Sequence, residues 1–98
     1  MHVLTVCYGH PADPAAFDAY YTSTHAPLVW KLPGLENFTY RHCASVDSSP
    51  PPYYLLAELS FASREAMNAA LASPESQAAT ADVPKFATGG VTIFVAHD

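Results

Sequence analysis

The chain reads as an α+β fold in the order β-α-β-β-α-β, a four-stranded antiparallel sheet with its helices on one face. Four stretches rich in β-branched and aromatic residues are bounded by glycine, proline or serine, which marks them as strands. Between them lie segments that open with a capping residue or carry apolar side chains at helical spacing. The strands are also largely apolar on both sides, so the helices cover one face and something else must cover the other.

Residues 2–8, HVLTVCY, form the first expected strand, ended by the turn Gly9-His10-Pro11. Asp13 then caps a helix with Pro14 at its first position, predicted to run to about residue 25. At 3.6 residues per turn its apolar stripe holds Phe17, Tyr20, Tyr21, Thr24 and Leu28, with His25 at the edge. Pro27 is expected to push Ala26 out of the α region and kink the chain just past the imidazole. Pro33-Gly34 turns the chain into a second strand, 35–46, with Phe38, Tyr40 and His42 on one side and Asn37, Thr39 and Arg41 on the other. Pro50, Pro51 and Pro52 exclude a strand interior and mark residues 47–52 as an exposed connection.

Residues 53–61 form the third strand. Tyr53, Leu55, Ala57, Leu59 and Phe61 alternate with Tyr54, Leu56, Glu58 and Ser60. Ser63 caps a second helix with a stripe of Ala66, Met67, Ala70 and Leu71, and Ser73-Pro74 begins a further short one. Gly89-Gly90 opens the last strand, where Val91, Ile93 and Val95 alternate with Thr92, Phe94 and Ala96. This is the split-βαβ, ferredoxin-like order, expected as a single domain over 1–98. The wholly apolar sets are assigned to the helices. The mixed sets with Glu58, Ser60 and Thr92 then face a second copy, giving a homodimer through the sheet face.

Composition narrows the function. Half the residues are apolar, 13% are charged and the net charge is −5 with four cations, which argues against nucleic-acid binding. No apolar run approaches the roughly 20 residues of a membrane span, and the strand-like N-terminus lacks a basic n-region. Cys7 and Cys43 lie outside any C-x-x-C and read as buried thiols of a reducing cytoplasm, a disulfide or reactive thiol being the alternative. The cytoplasm is the expected location. His2, His10, His25, His42 and His97 show no ligand spacing, so no metal is expected. Without a phosphate-binding glycine loop no nucleotide is expected either, and the reading is cofactor-free.

His25 is the leading catalytic candidate, because imidazole exchanges protons near neutral pH. Tyr21 lies one turn earlier and is placed to orient it or share a hydrogen bond. The alternative is a histidine that ties down backbone groups at the helix end. Trp30, Tyr40, His42, Tyr54, Glu58 and Phe94 are candidates for lining a pocket that takes a small apolar or aromatic molecule. The aromatic ones more often serve as plain core and interface. Glu58 has an alternative of its own, an ion pair with Arg41 on the neighbouring strand.

Tyr8-Gly9-His10-Pro11, Asp13, Phe17, Tyr21, His25-Ala26-Pro27-Leu28 and Leu32-Pro33-Gly34-Leu35 together resemble the EthD family, first associated with ethyl tert-butyl ether degradation. The resemblance implies a dimeric α/β barrel, two ferredoxin-like units packed sheet to sheet with a cleft in each. That fold is similar to those of cofactor-independent monooxygenases, polyketide cyclases and small isomerases. Two functions follow as expectations. One is cofactor-free proton transfer serving oxygenation, isomerisation or cyclisation in a degradation or biosynthetic pathway. The other is a non-catalytic ligand-binding or accessory subunit of a degradation pathway.

Overall fold

The computed structural model describes residues 1–98. Its strands are β1 (His2–Tyr8), β2 (Asn37–His42), β3 (Leu55–Phe61) and β4 (Val91–His97), paired antiparallel in the order β2-β3-β1-β4. Helices α1 (Pro14–Tyr20), α2 (Ala26–Val29), α3 (Arg64–Leu71) and α4 (Pro74–Asp82) complete it, with a π turn over Tyr21–His25 and a 3₁₀ turn over Val83–Lys85. Each of the three caps read from the sequence forms. Asp13, Ser63 and Ser73 accept from the N–H groups of Ala16, Ala66 and Ser76, satisfying donors that a helix start leaves free.

Register assigns the faces. Leu4, Val6 and Tyr8 lie opposite Leu59, Ala57 and Leu55 on one side and opposite Val95, Ile93 and Val91 on the other. Phe38 and Tyr40 join them through Leu59 and Ala57. This face meets the helices, and Phe17, Tyr21, Val29, Met67 and Phe86 pack on it. The opposite, open face carries Val3, Thr5 and Cys7 on β1, Leu56, Glu58 and Ser60 on β3, and Thr92, Phe94 and Ala96 on β4. All seven residues of β4 are exposed, Phe94 at 50% and Ile93 at 55%.

Two readings of the sequence need correction. Strands β2 and β3 are shorter than expected, although Glu36 and Cys43 still donate to Ser60 and Tyr54 just beyond the ladder. Tyr54 does not join Leu56 and Glu58 on the open face. Its N–H donates to the Tyr8 carbonyl while Leu55 also pairs with Tyr8, so two residues oppose one and the alternation breaks there. The Tyr54 ring consequently turns to the helix side, edge-on to Phe17 at 5.3 Å.

At the end of β1 the chain crosses the approach to β4 with no room for side chains. A Cβ at Gly9 would run into the Gly89 carbonyl, and one at Gly89 would run into the His10 carbonyl. Neither wall is a flexible side chain, so relief requires backbone movement. Gly9→Ala should therefore lower stability by about 1–3 kcal/mol. Urea unfolding checks this through the midpoint, and an unshifted midpoint would mean that the two loops part freely.

Candidate functional site

The site begins with a proline that the helix has to pass. Pro27 has no N–H and its ring crowds the carbonyl four residues earlier, which normally ends or kinks a helix. Here Ala26 stays helical (φ −57°, ψ −42°), contrary to the expected departure from the α region, because the preceding turn widens. The Ala26 N–H donates to the carbonyl of Tyr21, five residues back. Thr22 and Ser23 hydroxyls donate to the carbonyls of Asp18 and Ala19, at 2.7 Å each, and occupy acceptors in the disturbed stretch.

The wide turn adds one residue and so rotates everything after it by about 100°. That corrects the stripe read at 3.6 spacing. Thr24 is exposed, while His25 is only 3% exposed and Ala26 and Val29 are buried after it. His25 is therefore carried from the edge of the helix into the interior.

Its ring finds an acid there. His25 Nδ1 lies 3.0 Å from Oδ2 of Asp82, the last residue of α4 and itself 5% exposed. The Tyr20 hydroxyl donates to Oδ1 of the same carboxylate at 2.6 Å. Burial alone would raise the Asp82 pKa, but these two partners together hold it below the usual carboxylate range. A hydrogen bond to a charged group contributes about 1.5–3 kcal/mol, so two approach the several kcal/mol that burying a carboxylate costs. Burial pulls the His25 pKa below its ordinary 6.5, with Asp82 opposing. The resting pair is accordingly a neutral imidazole donating Nδ1–H to an ionised carboxylate, and the ring is not tied to backbone.

Nε2 has no hydrogen-bond partner in the protein, and the His25 ring lines a cavity of about 80 Å³ between the helix face of the sheet and the helices. Tyr8, Val6 and Leu59 form its floor, Tyr21, His25 and Val29 one wall, and Ser76, Ala79 and Val83 another. Twelve of its fifteen lining residues are hydrophobic and none carries a charge. The Phe86 ring lies 4.6 Å from the imidazole. Tyr8 and Tyr21 meet edge to face at 5.5 Å. Burial pushes the Tyr8 phenol up to about 12, the Tyr21 hydroxyl pulling back. Burial, then the neighbouring Tyr8 and Tyr40, push Tyr21 far above the ordinary phenol. Both phenols are therefore hydrogen-bond donors and not bases.

Of the residues singled out in the sequence, Tyr21 and His25 meet at this cavity, their rings 5.1 Å apart. Tyr40 stands behind Tyr21 at 4.9 Å. The others lie elsewhere. Trp30 is exposed against Phe38, and His42 and Tyr54 both bind Asp18 at 2.9 Å. Glu58 and Phe94 sit on the open face, on the far side of the sheet, where Glu58 lies 3.7 Å from Arg41. The sequence reading missed Asp82, Tyr8, Tyr20 as a donor and Phe86. Tyr8 shares the alternation of Leu4 and Val6 and was legible. Nothing in local spacing links Asp82 to a histidine 57 positions away. No group of three or more His, Cys, Asp or Glu converges as a metal site, and no helix is long and apolar enough to cross a membrane.

Comparison with known proteins agrees with this architecture. An uncharacterised 11.0 kDa protein from the thcB–thcC intergenic region of Rhodococcus erythropolis is 50% identical over 93 residues, covering 95% of this chain and 90% of that protein. The crystal structure of an ethyl tert-butyl ether degradation (EthD) family protein from Bacillus halodurans superposes with a TM-score of 0.92 at 31% identity, covering 100% of this chain and 98% of that one. A dimeric ferredoxin-like protein of unknown function from Jannaschia sp. matches in fold, with a TM-score of 0.70 at 18% identity over the whole of both chains. The family model of the EthD domain matches residues 9–90. With most of its length matched in this way, the chain belongs to the EthD family.

Proposed function

We propose that the protein carries out cofactor-free proton transfer on a small, uncharged, apolar or aromatic molecule that has an acidic C–H or phenolic O–H. The observation that carries this reading is the Asp82–His25 pair, with Nε2 free at a cavity that contains no charged side chain. Nε2 takes the proton, Asp82 stabilises the imidazolium, and a Tyr21 or Tyr8 hydroxyl donates to the oxygen on which charge develops. Oxygenation, isomerisation or cyclisation then follows from the substrate, within a degradation or biosynthetic pathway. An anionic substrate would meet no cation here. A cavity of about 80 Å³ is about half of one that admits benzene, so the reacting end enters while the remainder lies between the exposed Leu71 and Ile93.

The protein acts, on this reading, as a homodimer through the open face of the sheet. That face carries exposed Phe94 and half-buried Leu56, and relatives of the same fold are described as dimeric. Phe94→Glu places a charge there and should give a folded monomer in native mass spectrometry, where the parent is a dimer. A monomeric parent would refute the assignment of that face.

A small neutral carbon acid tests the base directly: 5-nitrobenzisoxazole, whose ring opens when its C–H proton is removed. His25→Ala should lower kcat/KM by about 10²-fold or more, the usual share of a positioned base. An unchanged rate would reject His25. Absence of turnover by the parent, together with ejection of a bound organic molecule in activated native mass spectrometry, would favour a ligand-binding or accessory subunit instead. The pH profile carries a sign. The base works unprotonated and its pKa is lowered, so kcat/KM should be level at neutral pH and fall only below 6.5. A midpoint above 6.5 would contradict the buried site.

A further inference from the structure

We propose that Tyr20 is a positioning residue for His25, fixing the Asp82 carboxylate so that the imidazole is held through Nδ1 and presents Nε2 to the cavity. The inference rests on the reading of His25 as a base and adds a residue that does not touch the cavity.

Tyr20 and His25 hold different oxygens of one carboxylate, Oδ1 at 2.6 Å and Oδ2 at 3.0 Å. Rotation of Asp82 about its side-chain bonds would break both contacts. In an α-helix two residues five apart point about 140° away from each other, which would keep them from one acceptor. The π turn Tyr21–His25 lies between them and brings both to the same side. Phe86 lies against both rings, at 4.6 Å from His25 and 5.6 Å from Tyr20, and restricts their rotamers. One widened turn thus builds a three-residue unit that a regular helix would not form.

The two residues that hold the carboxylate face different environments. His25 faces the apolar cavity. Tyr20 is half-buried on the other side of Phe86, in a groove of about 220 Å³ whose lining includes Asp13, Lys85 and Thr88. The titratable groups around the ring are Asp82 from α4, Lys85 of the following turn acting on Asp82, and Tyr21 from its own helix. Tyr8 of β1 lines the same cavity as His25, and Tyr40 of β2 stands beyond Tyr21. Of these, Asp82 is the one in direct hydrogen bond with the ring, and Tyr20 modulates it. A stronger Tyr20 donor draws charge from Asp82 and lowers the affinity of His25 for a proton. Removal of the donor concentrates charge on Asp82 and raises it.

The test is a ¹⁵N-histidine NMR titration of the resting protein in three forms: parent, Tyr20→Phe, and Tyr20 replaced by 3-fluorotyrosine, whose phenol is more acidic. The His25 midpoint should rise by roughly one unit in Tyr20→Phe and fall in the fluorotyrosine form, with Nδ1 protonated in the neutral ring throughout. The midpoint of 5-nitrobenzisoxazole opening should move with it. A midpoint unchanged across the series, or moving in the reverse order, would overturn the proposal. Should Tyr20→Phe fail to fold, the fluorotyrosine form, which keeps volume and hydrogen bond, decides alone. The titration needs no turnover, so its failure and the failure of the proposed activity are separate results.

Discussion

The constraint on which the rest of this structure depends is the missing N–H of Pro27. A proline inside a helix must be met by a break, a kink or a local change of pitch. This chain uses the third, and the wide turn Tyr21–His25 keeps the helix running to Val29. The change of pitch has a consequence far from the proline. It exchanges Thr24 for His25 on the inner side and sets Tyr20 and His25 about a single carboxylate. π turns recur at functional sites, and here the physical link is plain: an added residue redirects side chains by a fixed angle.

The electrostatics of the site follow from where charge is kept. The cavity wall is uncharged, with both phenols neutral and the imidazole neutral at rest. The one ionised group, Asp82, stands behind the imidazole and is satisfied by Tyr20 and His25. An unpaired carboxylate in that position would be costly to bury, whereas a paired one polarises the ring without lining the cavity. The same arrangement keeps the cavity wall free of ionised groups.

On the other side of the sheet the pattern is different. Thr5 and Cys7 are covered by neighbouring strands, but Phe94 and the whole of β4 are open. The helices lie over β1, β2 and β3, so the edge strand is left with apolar groups on both sides. An exposed apolar edge is usually paired or covered. Solved structures similar in fold are described as dimeric ferredoxin-like proteins.

Much of this was readable in the chain. Alternation assigned strand faces, and serine and aspartate followed by proline or acid located three helix starts, because these signals are set by neighbours within a turn or a strand pair. Alternation misled at Tyr54, where one additional residue opposite Tyr8 reverses the side on which the ring lies. The 3.6-residue stripe misled at Thr24 and His25, since a periodic reading has no means of locating a local change of pitch. Glu58 and Phe94 lie outside the cavity because a sheet separates its two faces, and Trp30 because it follows the end of α2, exposed against Phe38. By itself, the sequence determined the order of elements, the caps, the apolar faces and the presence of a histidine beside a proline, all of them local properties. Only the tertiary structure decided that this histidine is buried, that Asp82 is its partner and that Tyr20 holds the acid. Those contacts depend on the packing of α4 against a widened turn, and neither distance nor angle across 57 residues is written in any local pattern.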